Sequence, residues 1–361
     1  MSLSVERVRE VLRTVIDPNT DQDLVSGGCV KDIQVGGGDV GVAIELGYPA
    51  QSQLAPIQAL VEQVLTAAGA ARSVVTVRWK IVAHAVQQGV KLLPGVRNII
   101  AVASGKGGVG KSTTAVNLAL ALAAEGARVG MLDADIYGPS QPTMLGITGR
   151  PESLDGKTLE PMEGHGLQAA SIGFLIDTDT PMVWRGPMVT QALEQLLRQT
   201  NWKDLDYLIV DMPPGTGDIQ LTLAQKVPVT GAVIVTTPQD IALLDARKGV
   251  KMFEKVGIPI LGVVENMAVH ICSNCGHAEH IFGEGGGERL AKEYDMPYLG
   301  GLPLDLGIRL DADSGRPTVV AAPEGEIAAI YRTIARRVAV RIAARARDMT
   351  SKFPTIVVQN T

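Results

Sequence analysis

The sequence predicts an α/β protein with a doubly wound, mostly parallel sheet, preceded by a small α+β domain. At about 150 residues per domain, a chain of 361 residues has room for two. Short apolar runs alternate with helical segments after residue 97. Before residue 90 the order is instead a helix, two strands, a helix and a strand. Gly (40) and Pro (20) are abundant and aromatic residues make up only 4%. Such a composition suits tight turns between strands and helices.

The first domain is predicted over residues 1–85 from the order of its elements. A stripe of apolar residues at helical spacing occupies residues 5–16. Two strand-like runs follow at 30–35 and 40–46, joined by three glycines, and then a helix over 52–68 and a β-branched strand over 73–79. The order α-β-β-α-β indicates a small α+β domain. Residues 86–97, which contain turn-forming glycine and proline, are predicted to be a linker.

The second domain, residues 98–361, is predicted from strands that alternate with helices. A helix over 113–124 follows its first strand, and a helix over roughly 324–347 lies near its end. Each predicted strand is short and apolar on both faces, as in a parallel sheet that helices cover on both sides. These strands lie at 98–103, 128–132, 207–210, 232–236, 260–264 and 298–302.

Composition argues against several classes of protein. The formal net charge is 33 − 38 = −5, so no overall basic charge is available to attract nucleic acid. Three cysteines are too few, and odd in number, for the disulfide framework of a secreted protein. The sequence after Met1 has no apolar signal core, and no window approaches about 18 uninterrupted apolar residues. We therefore expect a cytoplasmic protein that binds neither nucleic acid nor a membrane.

A glycine-rich loop between the first strand and helix of the second domain matches the phosphate-binding pattern G-x-x-x-x-G-K-[ST] in full. Its glycines let successive backbone N–H groups approach phosphate oxygens, and the helix N-terminus adds partial positive charge. Within it, Lys111 is predicted to neutralise the β- and γ-phosphates and Ser112 to ligate Mg²⁺. The predicted binding residues are Gly105, Lys106, Gly107, Gly108, Val109, Gly110, Lys111, Ser112 and the following Thr113.

Carboxylates at the ends of neighbouring strands are predicted to complete this site. Asp211 ends an apolar strand, as a Walker B carboxylate does, and is the predicted second ligand of Mg²⁺. Asp133 and Asp135 follow another strand and are candidates to orient the attacking water, with Asp135 preferred because it begins a loop. The glycine- and proline-rich stretch 212–218 is a candidate switch that senses the γ-phosphate. The ends of parallel strands meet at one crevice, so we expect these groups to converge.

Cys272 and Cys275 form a C-x-x-C pair in a predicted insertion between a strand and a helix. Three interpretations of it are open: a structural zinc site within one chain, a redox dithiol, or two ligands that share an iron–sulfur cluster with a second chain. Cys29 stands alone in the first domain and is predicted to be a small buried hydrophobic residue. The zinc interpretation would draw on the nearby histidines His270, His277 and His280.

Four stretches together resemble the Mrp/ApbC-type iron–sulfur cluster carrier ATPases, a family with a deviant Walker A loop. They are 104–112, 132–140, 211–218 and 264–267 with the C-x-x-C. A second lysine next to the first glycine, Lys106, marks the deviant loop. The amino-terminal domain, with Asp17-Pro18, resembles the MIP18-like domain often fused in front of such carriers. It has Tyr48-Pro49-Ala50-Gln51 where stand-alone members carry a cysteine, so the domain lacks that cluster ligand.

The resemblance implies a homodimer that hydrolyses ATP with Mg²⁺ and holds a labile cluster, expected to be [4Fe-4S], between paired Cys272 and Cys275. Such a protein passes its cluster to apo iron–sulfur proteins. Lys106 would reach the nucleotide of the partner and act in catalysis with Lys111 and Asp135. The nucleotide-binding residues would further include Asp133, Asp211 and the adenine-contacting Asn266.

The alternative is a positioning or partitioning ATPase of the MinD/ParA type, which shares the deviant loop and in which the C-x-x-C would hold structural zinc. Such a protein would bind a membrane or DNA through a terminal helix. A solvated face of a packed helix is the simpler interpretation of the basic residues there. A reductase resembling the nitrogenase iron protein is less favoured, because its cysteines lie far apart in sequence. The helix carries Arg332, Arg336, Arg337, Arg341, Arg345 and Arg347.

Overall fold

A computed structural model of the chain describes residues 3–84, 91–176 and 186–352, with the side chains of 186–187 and 346–352 left aside. The chain divides into two compact units: Met1–Val82 with Ala339–Thr361, and Ala83–Val338. The units differ from the predicted domains, since the described residues from Ala339 onward group with the first unit. The domain boundaries at 85 and 98 stay predictions, and residues 86–90 of the predicted linker lie outside the described residues.

The first unit contains the predicted α-β-β-α-β order, and this small α+β part confirms that element of the fold class. Its three-stranded sheet has the order β3 (Val30–Gly36), β4 (Asp39–Leu46) and β5 (Arg72–Trp79), with the first pair antiparallel and the second parallel. The alternating burial along β4 places its apolar side chains on one face, where they pack in the core. The elements are α1 Val5–Leu12, β1 Ile16–Asp17, β2 Gln22–Asp23, β3 Val30–Gly36, β4 Asp39–Leu46, α2 Leu54–Ala67 and β5 Arg72–Trp79.

The second unit is built on an eight-stranded sheet. Its strands are β6 Val96–Ala103, β7 Val129–Asp133, β8 Met162–Gly164, β9 Leu167–Ser171, β10 Leu205–Asp211, β11 Gly231–Thr236, β12 Ile260–Glu265 and, at the edge, β15 Tyr298–Gly301. A short antiparallel pair, β13 His270–Ile271 and β14 Ala278–Glu279, lies outside this sheet. The helices are α3 Lys111–Ala124, α4 Gln141–Met144, α5 Gly186–Gln199, α6 Asp218–Lys226, α7 Asp240–Lys255, α8 Gly286–Glu293, α9 Leu306–Asp313, α10 Thr318–Ala321 and α11 Glu326–Lys352.

The strand order confirms the doubly wound sheet. It is β15-β12-β11-β6-β10-β7-β9-β8. The chain starts at the centre with β6, forms β7 to β9 on one side, and returns to place β10 between β6 and β7. It then continues on the other side with β11, β12 and β15. All neighbouring strands are parallel except β8 and β9. Every residue of β7, β10 and β11 is buried, as expected for central strands with both faces covered. Their carboxyl ends share one edge of the sheet.

Two features of the sheet differ from the sequence-based expectation. The hairpin of β8 and β9 was not predicted; it turns through His165 and Gly166, both with positive φ. Its first strand has only three residues, too few for an alternating pattern to show. Strand β6 begins at Val96, two residues inside the predicted linker, because the polar Arg97 interrupts the apolar pattern there.

Three of the six arginines of the terminal helix bind groups of their own protein, whereas Arg341 and Arg345 are exposed. The Arg336 guanidinium pairs with the fully buried carboxylate of Glu125. Arg337 donates to the carbonyl oxygen of Leu299 at 2.9 Å, and Arg332 to that of Pro323. Arg347 lies beyond the residues whose side chains are described. Among the described residues, no helix is both long and apolar enough to cross a bilayer.

Candidate functional site

The loop from β6 to α3 has the backbone conformation that its glycines predict. Gly108 and Gly110 have φ of 80° and 79°, a left-handed region that residues with a side chain rarely adopt. Gly105 is required for another reason. A Cβ there would lie 2.1 Å from the carbonyl carbon of Asp245 on α7, so the helix packs directly on the loop.

Lys111 and Asp211 form a buried ion pair where α3 begins and β10 ends. The ammonium group donates to Asp211 Oδ1 and, at 3.2 Å, to Ser112 Oγ. Lys111 is 6% exposed and Asp211 is fully buried. The register of the parallel strands sets Asp211 beside Asp133, the last residue of β7. The predicted lysine, hydroxyl and carboxylate therefore do lie together at the carboxyl edge of the sheet.

Asp133 supports the loop that follows β7. Its oxygens accept from the backbone N–H of Asp135 (3.2 Å), Ser140 (3.0 Å) and Gln141 (3.1 Å), and from Ser171 Oγ (3.1 Å). Burial and the neighbouring Asp211 raise the pKa of Asp133 to about 7. Both oxygens of Asp133 are committed to its own chain, so Asp133 holds the loop in place, and Asp135 is the less buried of the two carboxylates.

Asp135 lies close enough to Lys111 and Asp211 to interact with both charges. It is partly buried, and burial raises the pKa of its carboxyl group, which Lys111 opposes. The backbone N–H groups of Tyr137 and Gly138 also donate to it. These contacts hold Asp135 at the mouth of the site, a geometry compatible with its predicted role in orienting water.

Gln141 belongs to this site, and the sequence analysis missed it. The residue begins α4 and is 1% exposed. Its side-chain Nε2 donates to Asp211 Oδ2 at 2.9 Å and to the carbonyl oxygen of Ser112 at 3.2 Å. The only signal in the sequence was its place just after the loop that begins at Asp133. An amide side chain has no characteristic spacing that would have marked it.

Asn266 follows β12 and reaches the phosphate-binding loop. Its Nδ2 donates to the carbonyl oxygen of Val109 at 2.9 Å, and a Cβ on Gly110 would lie 2.1 Å from the same nitrogen. The predicted adenine contact of Asn266 stays a prediction. Lys106 is partly exposed, and its ammonium group makes no ion pair with any residue that the structure describes. Its reach to a second nucleotide also stays a prediction.

The C-x-x-C occupies the tip of the hairpin formed by β13 and β14. Cys272 N donates to the carbonyl oxygen of His277 at 2.9 Å, which closes the turn. The pKa of the Cys272 thiol is lowered, first by the backbone N–H groups of Asn274 and Cys275 and then by the Cys275 thiol. Both sulfurs are free of disulfide bonds, and Cys275 is exposed. A thiolate at this accessible position is the form that binds metal.

The neighbouring histidines do not join the two cysteines. His270 Nδ1 lies 3.1 Å from the carbonyl oxygen of Leu304, and His280 Nδ1 lies 2.8 Å from that of Ala268. Within the described ranges, no three His, Cys, Asp or Glu side chains are arranged to hold a metal ion. A zinc site of two cysteines and two histidines in one chain therefore has no support from this geometry. Cys29, as predicted, is buried.

The residues around Asp211 are suited to Mg²⁺. Ser112 Oγ and the Asp211 carboxylate share Lys111 as a hydrogen-bond donor, so two hard oxygen ligands lie side by side. Gln141 Oε1 is buried beside them and finds no donor among the described residues. Mg²⁺ is commonly held by only one or two protein groups together with phosphates and water.

Comparisons with known proteins agree with these features. Residues 95–339 match the family described as NUBPL iron-transfer P-loop NTPase, and residues 5–79 match that described as iron-sulfur cluster assembly protein. The chain is 65% identical over 269 residues to the iron-sulfur cluster carrier protein of Pseudomonas fragi, covering 74% of this chain and 94% of that protein. It is 49% identical over 338 residues to the carrier of Haemophilus influenzae, covering 93% and 91%.

A solved structure of a nucleotide-binding protein in complex with ADP, from Archaeoglobus fulgidus, is 38% identical with a TM-score of 0.57 and covers 64% of this chain and 90% of that one. The relatives are named for cluster carriage, so the MinD/ParA-type alternative is not favoured. The resemblance read from the sequence is confirmed. The chain belongs to the NUBPL-type iron-transfer P-loop NTPases and carries an iron–sulfur cluster assembly domain at its amino-terminal side.

Proposed function

We propose that this protein is an ATP-hydrolysing iron–sulfur cluster carrier, which holds a labile cluster between two copies of the chain and passes it to apo iron–sulfur proteins. One observation carries the proposal: the phosphate-binding loop and an accessible C-x-x-C with a lowered thiol pKa occur in the same compact unit. Relatives at 49% to 65% identity bear the name of cluster carrier.

The nucleotide chemistry follows from the groups around Lys111. Bound phosphates compete with Asp211 for the lysine ammonium group, and Lys111 then neutralises charge on the β- and γ-phosphates. Release of the lysine leaves Asp211 Oδ1 available, beside Ser112 Oγ, for Mg²⁺, which would supply further neutralisation of the same phosphates. Asp135 orients the attacking water. Lys106, whose ammonium group has no ionic partner in the described parts of the chain, reaches the nucleotide of the second copy.

The cluster site needs two chains because each contributes two thiolates. Iron–sulfur clusters of the [4Fe-4S] type favour four. A two-fold axis beside the hairpin brings Cys272 and Cys275 of both copies together. Ile271 and Ile281 flank the cysteines and are 53% and 51% exposed, an apolar surface that a second copy would cover. Free thiols of this kind stay reduced in the cytoplasm, where we place the protein.

Anaerobic reconstitution with iron and sulfide tests this proposal. We expect one cluster per dimer, which for [4Fe-4S] is about two iron atoms per chain. Cys272→Ser and Cys275→Ser should each lose the cluster and stay folded, whereas Cys29→Ser is the matched control and should retain it. Absorbance and iron analysis give the cluster content. One zinc per monomer, lost equally on changing Cys272 or His277, would refute the carrier and favour a zinc hairpin.

A further inference from the structure

Gln141 has hydrogen-bonding capacity that its role in the fold does not use. Its Nε2 bridges Asp211 Oδ2 and the Ser112 carbonyl oxygen, while its buried Oε1 meets no donor in the described parts of the chain. We infer that Gln141 is a positioning residue for Mg²⁺: its NH₂ group holds Asp211 in the orientation that ligates the ion, and its Oε1 accepts from a water bound to that ion. The inference rests on the proposed ATP site.

The orientation of the amide is determined by its neighbours. Asp211 Oδ2 and the Ser112 carbonyl oxygen are both acceptors, so the side of the amide that faces them must be the NH₂. A flipped amide would place oxygen against oxygen. The orphaned atom is therefore the carbonyl oxygen, and it needs a donor.

If Gln141 had only a structural role, the burial of its Oε1 without a donor among the described residues would be unexplained. Nearly all buried polar atoms in proteins have a partner, because a buried acceptor without a donor is unfavourable. Ser140 Oγ, on the residue just before Gln141, is also buried without a partner in the described ranges. Two adjacent residues at the start of α4 thus keep side-chain oxygens without a partner among the described residues, and Gln141 of this pair contacts Ser112. A hydrogen-bond donor that arrives with a ligand would explain why these two buried oxygens have no donor within the chain itself.

The NH₂ group of Gln141 connects the two elements that carry the predicted Mg²⁺ ligands, because it donates to both of them. The Ser112 carbonyl belongs to the same residue as the predicted hydroxyl ligand at the start of α3, and Asp211 ends β10. When phosphates draw Lys111 away, Asp211 Oδ1 loses its partner but Oδ2 stays bound to Gln141. The carboxylate then cannot rotate away from the metal position. Carboxylates that ligate metals are commonly oriented by such a second hydrogen bond.

Mg²⁺ supplies the missing donor through its hydration shell. The ion dehydrates reluctantly and keeps several waters when it binds with a nucleotide. Each of these waters has two hydrogens to donate, and the carboxylates of Asp211 and Asp135 offer acceptors on the charged side. Gln141 Oε1 is a neutral acceptor in the same buried region. It would select for a hydrated ion without adding a further negative charge.

The test measures metal affinity directly, with Mn²⁺ as the probe and ADP as the nucleotide. Free Mn²⁺ is followed by electron paramagnetic resonance in the full-length protein. Gln141→Met keeps the volume and removes both polar ends, and we expect it to weaken Mn²⁺ binding about tenfold, as loss of a metal-orienting partner typically does. ADP affinity in EDTA should fall by a much smaller factor, because the change removes one hydrogen bond to the Ser112 carbonyl oxygen but none of the backbone N–H groups that bind phosphate. Gln141→Asn, which is polar but too short, should weaken Mn²⁺ in the same direction.

Gln220→Leu is the matched control. Gln220 is another buried glutamine, on α6, whose amide donates to the carbonyl oxygen of Pro214. We expect its loss to leave Mn²⁺ affinity unchanged. The inference is overturned if both Gln141 variants bind Mn²⁺ with the affinity of the wild type. It is also overturned if the variants lose ADP affinity in EDTA by the same factor as in the presence of Mn²⁺, because Gln141 would then only support the fold of the site. Wild-type protein that binds no ADP at all would instead refute the proposed ATP site, and this inference with it.

Discussion

The side-chain amide of Asn266 donates to the carbonyl oxygen of Val109 at 2.9 Å. This bond joins the end of β12, which leads directly into the cysteine hairpin, to the middle of the phosphate-binding loop. Asn266 also bonds to the sheet, because its backbone N–H donates to the carbonyl oxygen of Thr236, the last residue of β11, at 2.7 Å. Asn266 therefore connects the phosphate-binding loop to the segment that leads into the hairpin.

Replacement of Lys111 by alanine should abolish ATP hydrolysis. The change removes the charge that offsets the β- and γ-phosphates, and phosphoryl transfer depends mainly on such electrostatic terms. It also leaves the buried Asp211 carboxylate unpaired, so we expect the free energy of unfolding to fall by about 3–5 kcal/mol. Phosphate release and urea denaturation measure the two effects. The double variant Lys111→Ala/Asp211→Asn should recover stability but not activity; recovery of activity would place catalysis elsewhere.

Asp135→Asn should bind ATP with near-normal affinity and hydrolyse it at least about a hundredfold more slowly. The amide keeps the size of the side chain but cannot accept a proton from water as a carboxylate does, and general-base contributions are commonly 10²–10⁴-fold. Equilibrium titration with a non-hydrolysable nucleotide separates binding from turnover. A parallel loss of binding and turnover would instead assign Asp135 to metal ligation.

Two glycines of the same loop should respond differently to alanine. Gly105→Ala brings a Cβ to 2.1 Å from the Asp245 carbonyl carbon, so α7 must move, and we expect a loss of about 1–3 kcal/mol or more. Gly107→Ala is the control, because its nearest neighbour, Pro214 Cβ, lies 4.0 Å away. That change should alter stability by less than about 0.5 kcal/mol. Equal destabilisation by both, in urea titrations without nucleotide, would contradict the close packing of α7.

Asp133 should make the protein less stable as the pH rises from about 4 to 7. Its folded pKa is raised to about 7 by burial and by Asp211, while an unfolded Asp ionises near 3.9. Between these values the folded chain binds the extra proton, so the contribution to stability is full below pH 4 and is lost as the pH approaches 7. Urea denaturation of wild type and Asp133→Asn at pH 5 and pH 8 tests this. The free energy of unfolding should decrease less between pH 5 and pH 8 in the variant than in the wild type. An equal decrease in both would assign the pH dependence to other groups.

Local patterns in the sequence were enough to predict the strands that lead into the site. Strand β10 is buried throughout, has an apolar run from Tyr207 to Val210, and ends at Asp211. The glycines before Lys111 predict the loop because they permit the positive φ angles that it needs. Parallel strands that are buried on both faces must be apolar along their whole length, so their boundaries are visible without any partner. The hairpin of β8 and β9 escaped prediction because its short strands depend on pairing for their stability.

The sequence by itself determined the chemistry available: the phosphate-binding loop, the strand-end carboxylates and the paired cysteines, because each is a pattern of neighbouring residues. Tertiary structure alone decided how the two carboxylates that end and follow β7 are buried and hydrogen-bonded. Asp133 and Asp135 look alike in the sequence. In the structure, the register of β7 against β10 sets Asp133 beside Asp211, where it is buried and accepts four hydrogen bonds. Asp135 lies beyond the end of the strand and is only partly buried. Gln141 and Asn266 reach the phosphate-binding residues from 29 and 157 positions away along the chain. Such contacts depend on how strands are ordered in the sheet, and no local pattern records that order.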